Sequence, residues 1–355
     1  MKNIRIAPFF IFIILSALLL SSCAPTSAYV EPQTQAESYY EYFDTVSVLF
    51  SYKGDSAEEF KANCAVTEEL LKEYHRLFDI YYEYAEVNNV RTVNKNAGKE
   101  PVKVDRKLID FLLYCKELYT LTNGETNIAM GSVLKLWHNA REDAASDPEN
   151  AYIPTEEQLT AAAMHTDINN IVINEEECTV YISDPELSID VGAIGKGYAA
   201  ERIAEALIAR GADSYVLNLG GNIRAIGAKT NGDGWVTGIT NPDKTSEEAF
   251  VCRVDIKDIS LVTSGDYERY YTVDGKRYHH IIDKDTLMPA KYFSSVSVFT
   301  KDSGLADALS TALFCMSYED GIRLIEEING IDVIWVEADG TVKMTNGINL
   351  ITNQG

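Results

Sequence analysis

Basic residues are scarce in this sequence. Its 355 residues hold 31 Lys and Arg against 54 Asp and Glu, a formal net charge of −23 at pH 7. Binding along nucleic acid needs a basic surface that displaces counterions, so that class is excluded. A polybasic membrane patch is excluded on the same ground. Cysteine is sparse too, six in all and no Cys-x-x-Cys pair. Cys64, Cys115, Cys178, Cys252 and Cys315 are widely spaced and odd in number, which argues for small core residues over a disulfide framework or zinc site. With 9 prolines, 22 glycines, 46% hydrophobic and 24% charged residues, the composition is globular. No internal repeat, Walker loop, GxGxxG, GxSxG or helical HExxH occurs. Any polyanionic ligand must therefore be held locally, by a metal ion, a few cations or backbone amides.

Long apolar runs are absent except near the start. Lys2 and Arg5 precede an apolar stretch from Ala7 to Leu20, interrupted by Pro8 and Ser16. It is shorter than the ~20 residues of a spanning helix. Basic residues, an apolar run and then small residues describe an export signal. Leu20-Ser-Ser-Cys23 resembles a bacterial lipobox, in which the cysteine is acylated and becomes the first mature residue; an ordinary signal with an incidental cysteine is the alternative. The expected organisation is a lipoprotein signal peptide over 1–22, a tether over 23–42 and one domain over 43–355. The tether is assigned because Ala24 to Tyr42 shows no apolar period.

The body interleaves strands and helices without a strict βαβ rhythm, which places it in the α+β class. Thr45 to Ser51 alternates as a strand, and Ser56 to Tyr81 carries a helical stripe. Asp105 caps a second helix to Leu121, and Thr155 opens a short third one. Ile171 to Ile182 reads as a hairpin. A glycine-punctuated turn from Gly192 to Gly197 leads into a helix ending near Gly211. The strand Tyr215–Leu219 meets Gly220-Gly221 and continues from Ile223 to Ile226. Further strands lie around Trp235–Ile239, Val251–Ile256, Ser260–Thr263 and Ser295–Phe299. Helices at Leu305–Met316 and Glu319–Ile328 precede a last hairpin, Val333–Val336 with Val342–Met344.

Four segments hold candidate chemistry. In Ser188-Ile-Asp190-Val-Gly192-Ala-Ile-Gly195-Lys196-Gly197, glycines run directly into a helix whose free amides suit an anion, and Lys196 adds a cation. The segment reads equally as a phosphate cradle and as a tight turn with a surface lysine. In Leu305-Ala-Asp307-Ala-Leu-Ser-Thr311, residues four apart share a helix face, so a carboxylate and a hydroxyl together suit Mg²⁺. Taken alone, it reads more readily as a first-turn aspartate and a threonine bonded to its own helix. Thr263 to Arg269 followed by Tyr278-His-His280-Ile-Ile-Asp283 offers a catalytic histidine or a structural one. Asn218-Leu-Gly-Gly-Asn222 is a glycine pair that signals close packing or ligand approach.

In this order, Asp190-Val-Gly-Ala-Ile-Gly-Lys-Gly-Tyr, Asn218-Leu-Gly-Gly-Asn-Ile, Thr263-Ser-Gly-Asp-Tyr, His280-Ile-Ile-Asp and Ala306-Asp-Ala-Leu-Ser-Thr-Ala-Leu resemble the ApbE family of bacterial FAD:protein FMN transferases. The resemblance spans about Tyr42 to Val336 and implies a single T-fold-like α+β domain. It also implies that FAD and Mg²⁺ bind, and that FMN passes to a threonine of a partner flavoprotein, a membrane redox subunit or a secreted protein, with release of AMP. Hydrolysis of FAD to FMN and AMP, or flavin binding without catalysis, remain the alternatives. By the resemblance, Asp307, Thr311 and the carbonyl of Ala193 hold Mg²⁺. Asp190, Lys196 and the backbone near Ile281 contact FAD, with Tyr81, Phe43 and Glu125-Thr126-Asn127 lining the dinucleotide. His280 sits beside the reacting phosphates. A lipid anchor at Cys23 implies the extracytoplasmic face of the membrane.

Three departures from the family pattern stand out. Phe43-Asp44-Thr45 replaces the common Met-Gly-Thr. Asn127 replaces an aspartate. The loop Asp283-Lys-Asp-Thr286-Leu287-Met-Pro289 lacks a proline after the first aspartate and a glycine after the threonine.

Overall fold

The computed structural model describes residues 34–52 and 56–351. The signal segment and Cys23 lie outside them. In chain order the first elements are β1 (Thr34–Tyr39), β2 (Ser47–Tyr52), α1 (Ala57–Phe78), α2 (Val90–Lys95), β3 (Val102–Lys103), α3 (Arg106–Leu121), α4 (Gly131–Ser146) and α5 (Glu156–Ala163). Then come β4 (Ile171–Asn174), β5 (Thr179–Ile182), α6 (Gly195–Ala209), β6 (Ser214–Leu219), β7 (Asn222–Gly227), β8 (Trp235–Thr240), β9 (Phe250–Ile256) and β10 (Ser260–Gly265). The last are β11 (Tyr270–Val273), β12 (Lys276–His279), β13 (Ser295–Thr300), α7 (Ser303–Cys315), α8 (Tyr318–Glu326), β14 (Asp332–Val336) and β15 (Val342–Met344).

Eight strands form the central sheet in the order β1-β2-β6-β7-β10-β13-β14-β15, each antiparallel to its neighbours. The α+β expectation holds. β13 shows why both faces are covered: all six of its residues are buried. Successive side chains alternate across a sheet. Val296 and Val298 point into a cluster with Leu309, Leu313 and Phe314 of α7, and Phe299 points the other way. There the β8–β9 ribbon supplies Trp235, Ile239, Val254 and Ile256. The sheet is thus sandwiched between helices and a two-stranded ribbon.

Two expectations change. The tether does not reach Tyr42, because Thr34–Tyr39 pairs with β2 across six residues and Tyr39 and Tyr42 are buried. This edge strand buries few side chains, so it carries no apolar period in the sequence. Gly220-Gly221 does not interrupt one strand but turns β6 back on β7 as a hairpin. Leu219 pairs with Asn222, and both glycines have positive φ (57° and 95°), the conformation of a two-residue hairpin turn.

The packing of α6 on α7 sets the site. A Cβ on Gly197 would lie 2.2 Å from the Ser303 carbonyl oxygen and 2.5 Å from Asp307 Cβ. Only glycine permits that approach, so Gly197 belongs to the helix contact rather than to a ligand cradle. Buried Glu201 locks the same junction, with Oε2 accepting from Arg224 Nε (3.0 Å) and from the Ser303 amide (2.9 Å).

Candidate active site

A cleft of about 1080 Å³ opens where α6, α7, the β11–β12 hairpin, α4 and the loops after β1 and α1 meet. Phe43, Tyr81, Glu125, Thr126, Asn127, Asp190, Ala193, Lys196, His280, Ile281, Asp307 and Thr311 all line it. The sequence scatters these twelve residues over some 270 positions; the fold gathers them in one cavity.

Asp307 is the most constrained. α7 carries no other charged residue and is almost wholly buried, and a carboxylate there needs partners. Only 4% of Asp307 is exposed. Oδ2 accepts from the Gly197 amide at 2.8 Å and lies 4.0 Å from Lys196 Nζ. Burial pushes the carboxyl above its ordinary 3.8, opposed by Lys196, the Gly197 N–H and the nearby Asn222 amide. That amide makes no hydrogen bond of sound geometry among the described residues. The cap of α7 is Asp302, whose Oδ1 accepts from Leu305 N at 2.8 Å. α7 begins at Ser303, so Asp307 stands in its second turn and is not the first-turn aspartate that the segment taken alone suggests. Thr311 Oγ1 lies 3.5 Å from Ser264 Oγ.

Because Gly197 donates to Asp307, it does not donate back to the carbonyl of Ala193, its i−4 residue. Among the described residues that carbonyl accepts no hydrogen bond. A bare carbonyl, a buried carboxylate and a hydroxyl in one cleft form an all-oxygen donor set that fits a hard cation completed by water and ligand oxygens.

The adjacent histidines divide their roles. His279 is buried; Nε2 bonds the Ala290 carbonyl (2.9 Å) and Nδ1 accepts from Ile281 N (3.2 Å), which makes it a structural residue. His280 Nδ1 faces the Arg269 carbonyl at 3.2 Å. That bond assigns the proton to Nδ1 and leaves Nε2 as a lone-pair acceptor. Burial, then the Arg269 guanidinium and His279, push its pKa down to about 3, so the ring is neutral. Asp283 does not orient it; Asp283 Oδ1 accepts from the amides of Asp285 (2.8 Å) and Thr286 (2.9 Å) and shapes the loop.

Other expected residues are partly committed to the fold. Thr126 Oγ1 donates to the Ala308 carbonyl (2.8 Å). Asn127 uses both amide ends, donating to Thr166 O (2.9 Å) and accepting from Ala129 N (2.9 Å). Ile281 N–H is taken by His279, and its carbonyl accepts from Ala290 N at 3.0 Å. Asp190 Oδ1 accepts from Gly192 N (2.9 Å), and burial raises its carboxyl against that bond and the charges of His138 and Arg269.

The sequence reading passed over several lining residues. Arg141 and His138 (Arg141 Nη2 to His138 Nδ1, 3.0 Å) lie on α4, and the His138 ring centroid is 5.3 Å from that of Tyr81. Lys284, at the position of the missing proline, reaches Glu125 Oε1 at 3.2 Å. Asp79 positions the aromatic wall: Oδ1 accepts from Tyr81 N (2.6 Å) and Tyr82 N (2.9 Å), and Oδ2 from Tyr84 OH (2.6 Å). These interactions end α1 three residues before the expected Tyr81. A stripe of Val133, Trp137, Ala140 and Ala144 was the available signal for α4.

A model of the ApbE family matches residues 44–335. The chain belongs to the ApbE family. Among its relatives, a FAD:protein FMN transferase of Treponema pallidum is 35% identical over 271 residues, covering 72% of each chain. One of Klebsiella pneumoniae is 30% identical over 269 residues, 76% of this chain and 80% of that one. The ApbE protein of Thermotoga maritima superposes with a TM-score of 0.77 at 26% identity, and the flavin transferase ApbE of Vibrio cholerae with 0.74 at 26%. Each alignment covers 88% of this chain and 97% of the other. The antiparallel architecture is that of the ApbE structures.

Proposed function

We propose that this ApbE protein transfers FMN from FAD to a hydroxyl of a partner protein, with threonine as the acceptor and AMP as the leaving group. The observation that carries the reading is the convergence of all twelve expected residues on one dinucleotide-sized cleft. The acceptor oxygen attacks the FMN-side phosphorus; the P–O bond to the AMP phosphate breaks, and AMP leaves with that electron pair. The hydroxyl proton passes to His280 Nε2, the ring's free acceptor. A pyrophosphate beside His280 adds negative charge, which raises its proton affinity above that in the empty cleft. Lys196 and Arg269 offer cationic partners to the phosphate oxygens. Tyr81 and Phe43 offer ring faces to the flavin.

Asp307, Thr311 and the Ala193 carbonyl would hold Mg²⁺. The bound ion would neutralise the pyrophosphate, which a chain of net charge −23 does not attract by its surface. Phosphoryl transfer of this kind rests on positioning and charge stabilisation. Lys2, Arg5, the Ala7–Leu20 run and Leu-Ser-Ser-Cys23 support export and lipid anchoring on the extracytoplasmic face.

The test is to incubate protein, FAD, Mg²⁺ and a threonine-bearing acceptor, and to look for covalent FMN by mass. Transfer by the wild type and its loss in Asp307→Ala are expected. A wild type that transfers nothing, or an Asp307→Ala variant that transfers fully, overturns the assignment.

A further inference from the structure

Two aromatic residues of the cleft stand on loops far apart in sequence, Phe43 after β1 and Tyr81 after α1. A chain of hydrogen bonds joins the two loops, and each bond fixes the direction of the next. Tyr81 N and Tyr82 N donate to Asp79 Oδ1, and Tyr84 OH donates to Asp79 Oδ2 at 2.6 Å. That uses the one proton of the Tyr84 hydroxyl, so its oxygen accepts from His75 Nε2 at 3.2 Å. With its proton on Nε2, His75 keeps a lone pair on Nδ1, which takes the Phe43 amide at 3.2 Å. His75, in the last turn of α1, thus holds one loop with each ring nitrogen.

Phe43 needs such a holder. It lies in the left-handed region (φ 57°), as does Asp44 (φ 50°), a conformation that strains a bulky side chain. No glycine relieves the turn in this chain. Among the described residues the Phe43 amide bonds only His75. The two rings also meet edge to face, with centroids 5.6 Å apart and planes at 74°. The far end of the chain is fixed to α2, because the Asp79 carbonyl accepts from Arg91 N at 3.0 Å.

Resting on the flavin-transfer reading, in which Phe43 and Tyr81 offer ring faces to the flavin, we propose that His75 and Tyr84 are positioning residues of the flavin site. His75 acts through Phe43, and Tyr84 acts through the tautomer that it imposes on His75. The two aromatic loops are thereby set as one unit.

The test is a double-mutant cycle read by equilibrium dialysis of the full-length protein against FAD. Phe43→Ala and His75→Leu are each expected to raise the Kd about tenfold, and the double variant no further than Phe43→Ala alone. His75→Asn places Oδ1 where Nδ1 stands and is expected to restore wild-type affinity. His75→Gln reaches only toward Tyr84 and is expected to match His75→Leu. The shift of the flavin's visible absorption band on binding gives a second readout: His75→Asn keeps it, whereas Phe43→Ala and His75→Leu both lose it. A loss that comes only from a weakened fold would not follow that order. Additive losses in the double variant, equal losses in His75→Asn and His75→Leu, or wild-type affinity in Phe43→Ala overturns the positioning roles and leaves the flavin-transfer reading standing. A wild type that does not bind FAD overturns that reading and the positioning roles with it. If His75→Leu does not fold, Tyr84→Phe takes its place in the cycle. That substitution frees the imidazole to carry its proton on Nδ1 against the Phe43 N–H, and additive or absent loss there overturns the proposal in the same way.

Discussion

Asp307 answers two opposed demands. Its buried carboxyl is held above its ordinary pKa by desolvation, and the Gly197 N–H and Lys196 only partly offset that. Removing the charge while keeping the shape therefore relieves a cost of folding but takes away the anionic member of the proposed metal site. Asp307→Asn is expected to keep or raise the midpoint of thermal unfolding and to lower the transfer rate about 100-fold or more. A thermal melt beside a single-turnover assay checks both, and a variant that loses stability and activity together contradicts the balance. His280 gives a pH-dependent prediction. Its folded pKa of about 3 lies below its ordinary 6.5. Between those values the unfolded chain binds a proton there that the folded chain does not, so stability falls as pH drops through that window. His280→Gln removes this part of the slope, which unfolding curves between pH 7 and 4 would show. The same substitution is expected to slow transfer by about 10²–10⁴-fold if His280 takes the hydroxyl proton.

At the scale of elements, legibility followed how much of a signal is local. α3 was placed to within a residue because Asp105 caps it, a buried stripe runs along it and Gly124 follows it. α4 has no side-chain cap and half of its stripe is alanine, so its period is faint. The β11–β12 hairpin was missed because exposed Lys276 and Arg277 erase the apolar alternation, although Asp274-Gly275, both with positive φ (49° and 77°), marks its turn. The residues that share the cleft were named through the family resemblance. Their partners were not, since Gly197 against Asp307 and Lys284 against Glu125 are contacts between distant segments. Gly197→Ala puts a Cβ into the backbone of α7. It is expected to cost about 1–3 kcal/mol and to shift Asp307, so unfolding and Mg²⁺ dependence should worsen together. Asp44 lies in the left-handed region (φ 50°) where the family commonly has glycine. Asp44→Gly should stabilise by about 0.5–1 kcal/mol, measurable by denaturant titration.

For the whole molecule, the decisive boundary is the one where the folded body begins. The sequence put it at residue 43; the sheet puts it at or before Thr34. β1 closes one edge of the eight-stranded sheet, and Tyr39 OH donates to Cys64 O at 3.0 Å, tying β1 to α1. Its other side chains are largely exposed, so its contribution is edge protection and the buried Tyr39 ring; Tyr42, just past the strand, is buried too, and each ring is worth about 2 kcal/mol. A chain begun at residue 34 keeps β1 and its six pairs with β2, and is expected to fold and to transfer FMN. A chain begun at residue 43 loses both rings and bares the β2 edge, an unpaired template for self-association. It should therefore melt lower and sediment as larger species, even though all twelve expected cleft residues, from Phe43 to Thr311, are retained. Cys23→Ser makes the complementary separation: if the cysteine is only an anchor, the protein leaves the membrane fraction with its rate of transfer to a soluble acceptor unchanged. A folded, monomeric and fully active chain begun at residue 43 would show that β1 belongs to the tether after all.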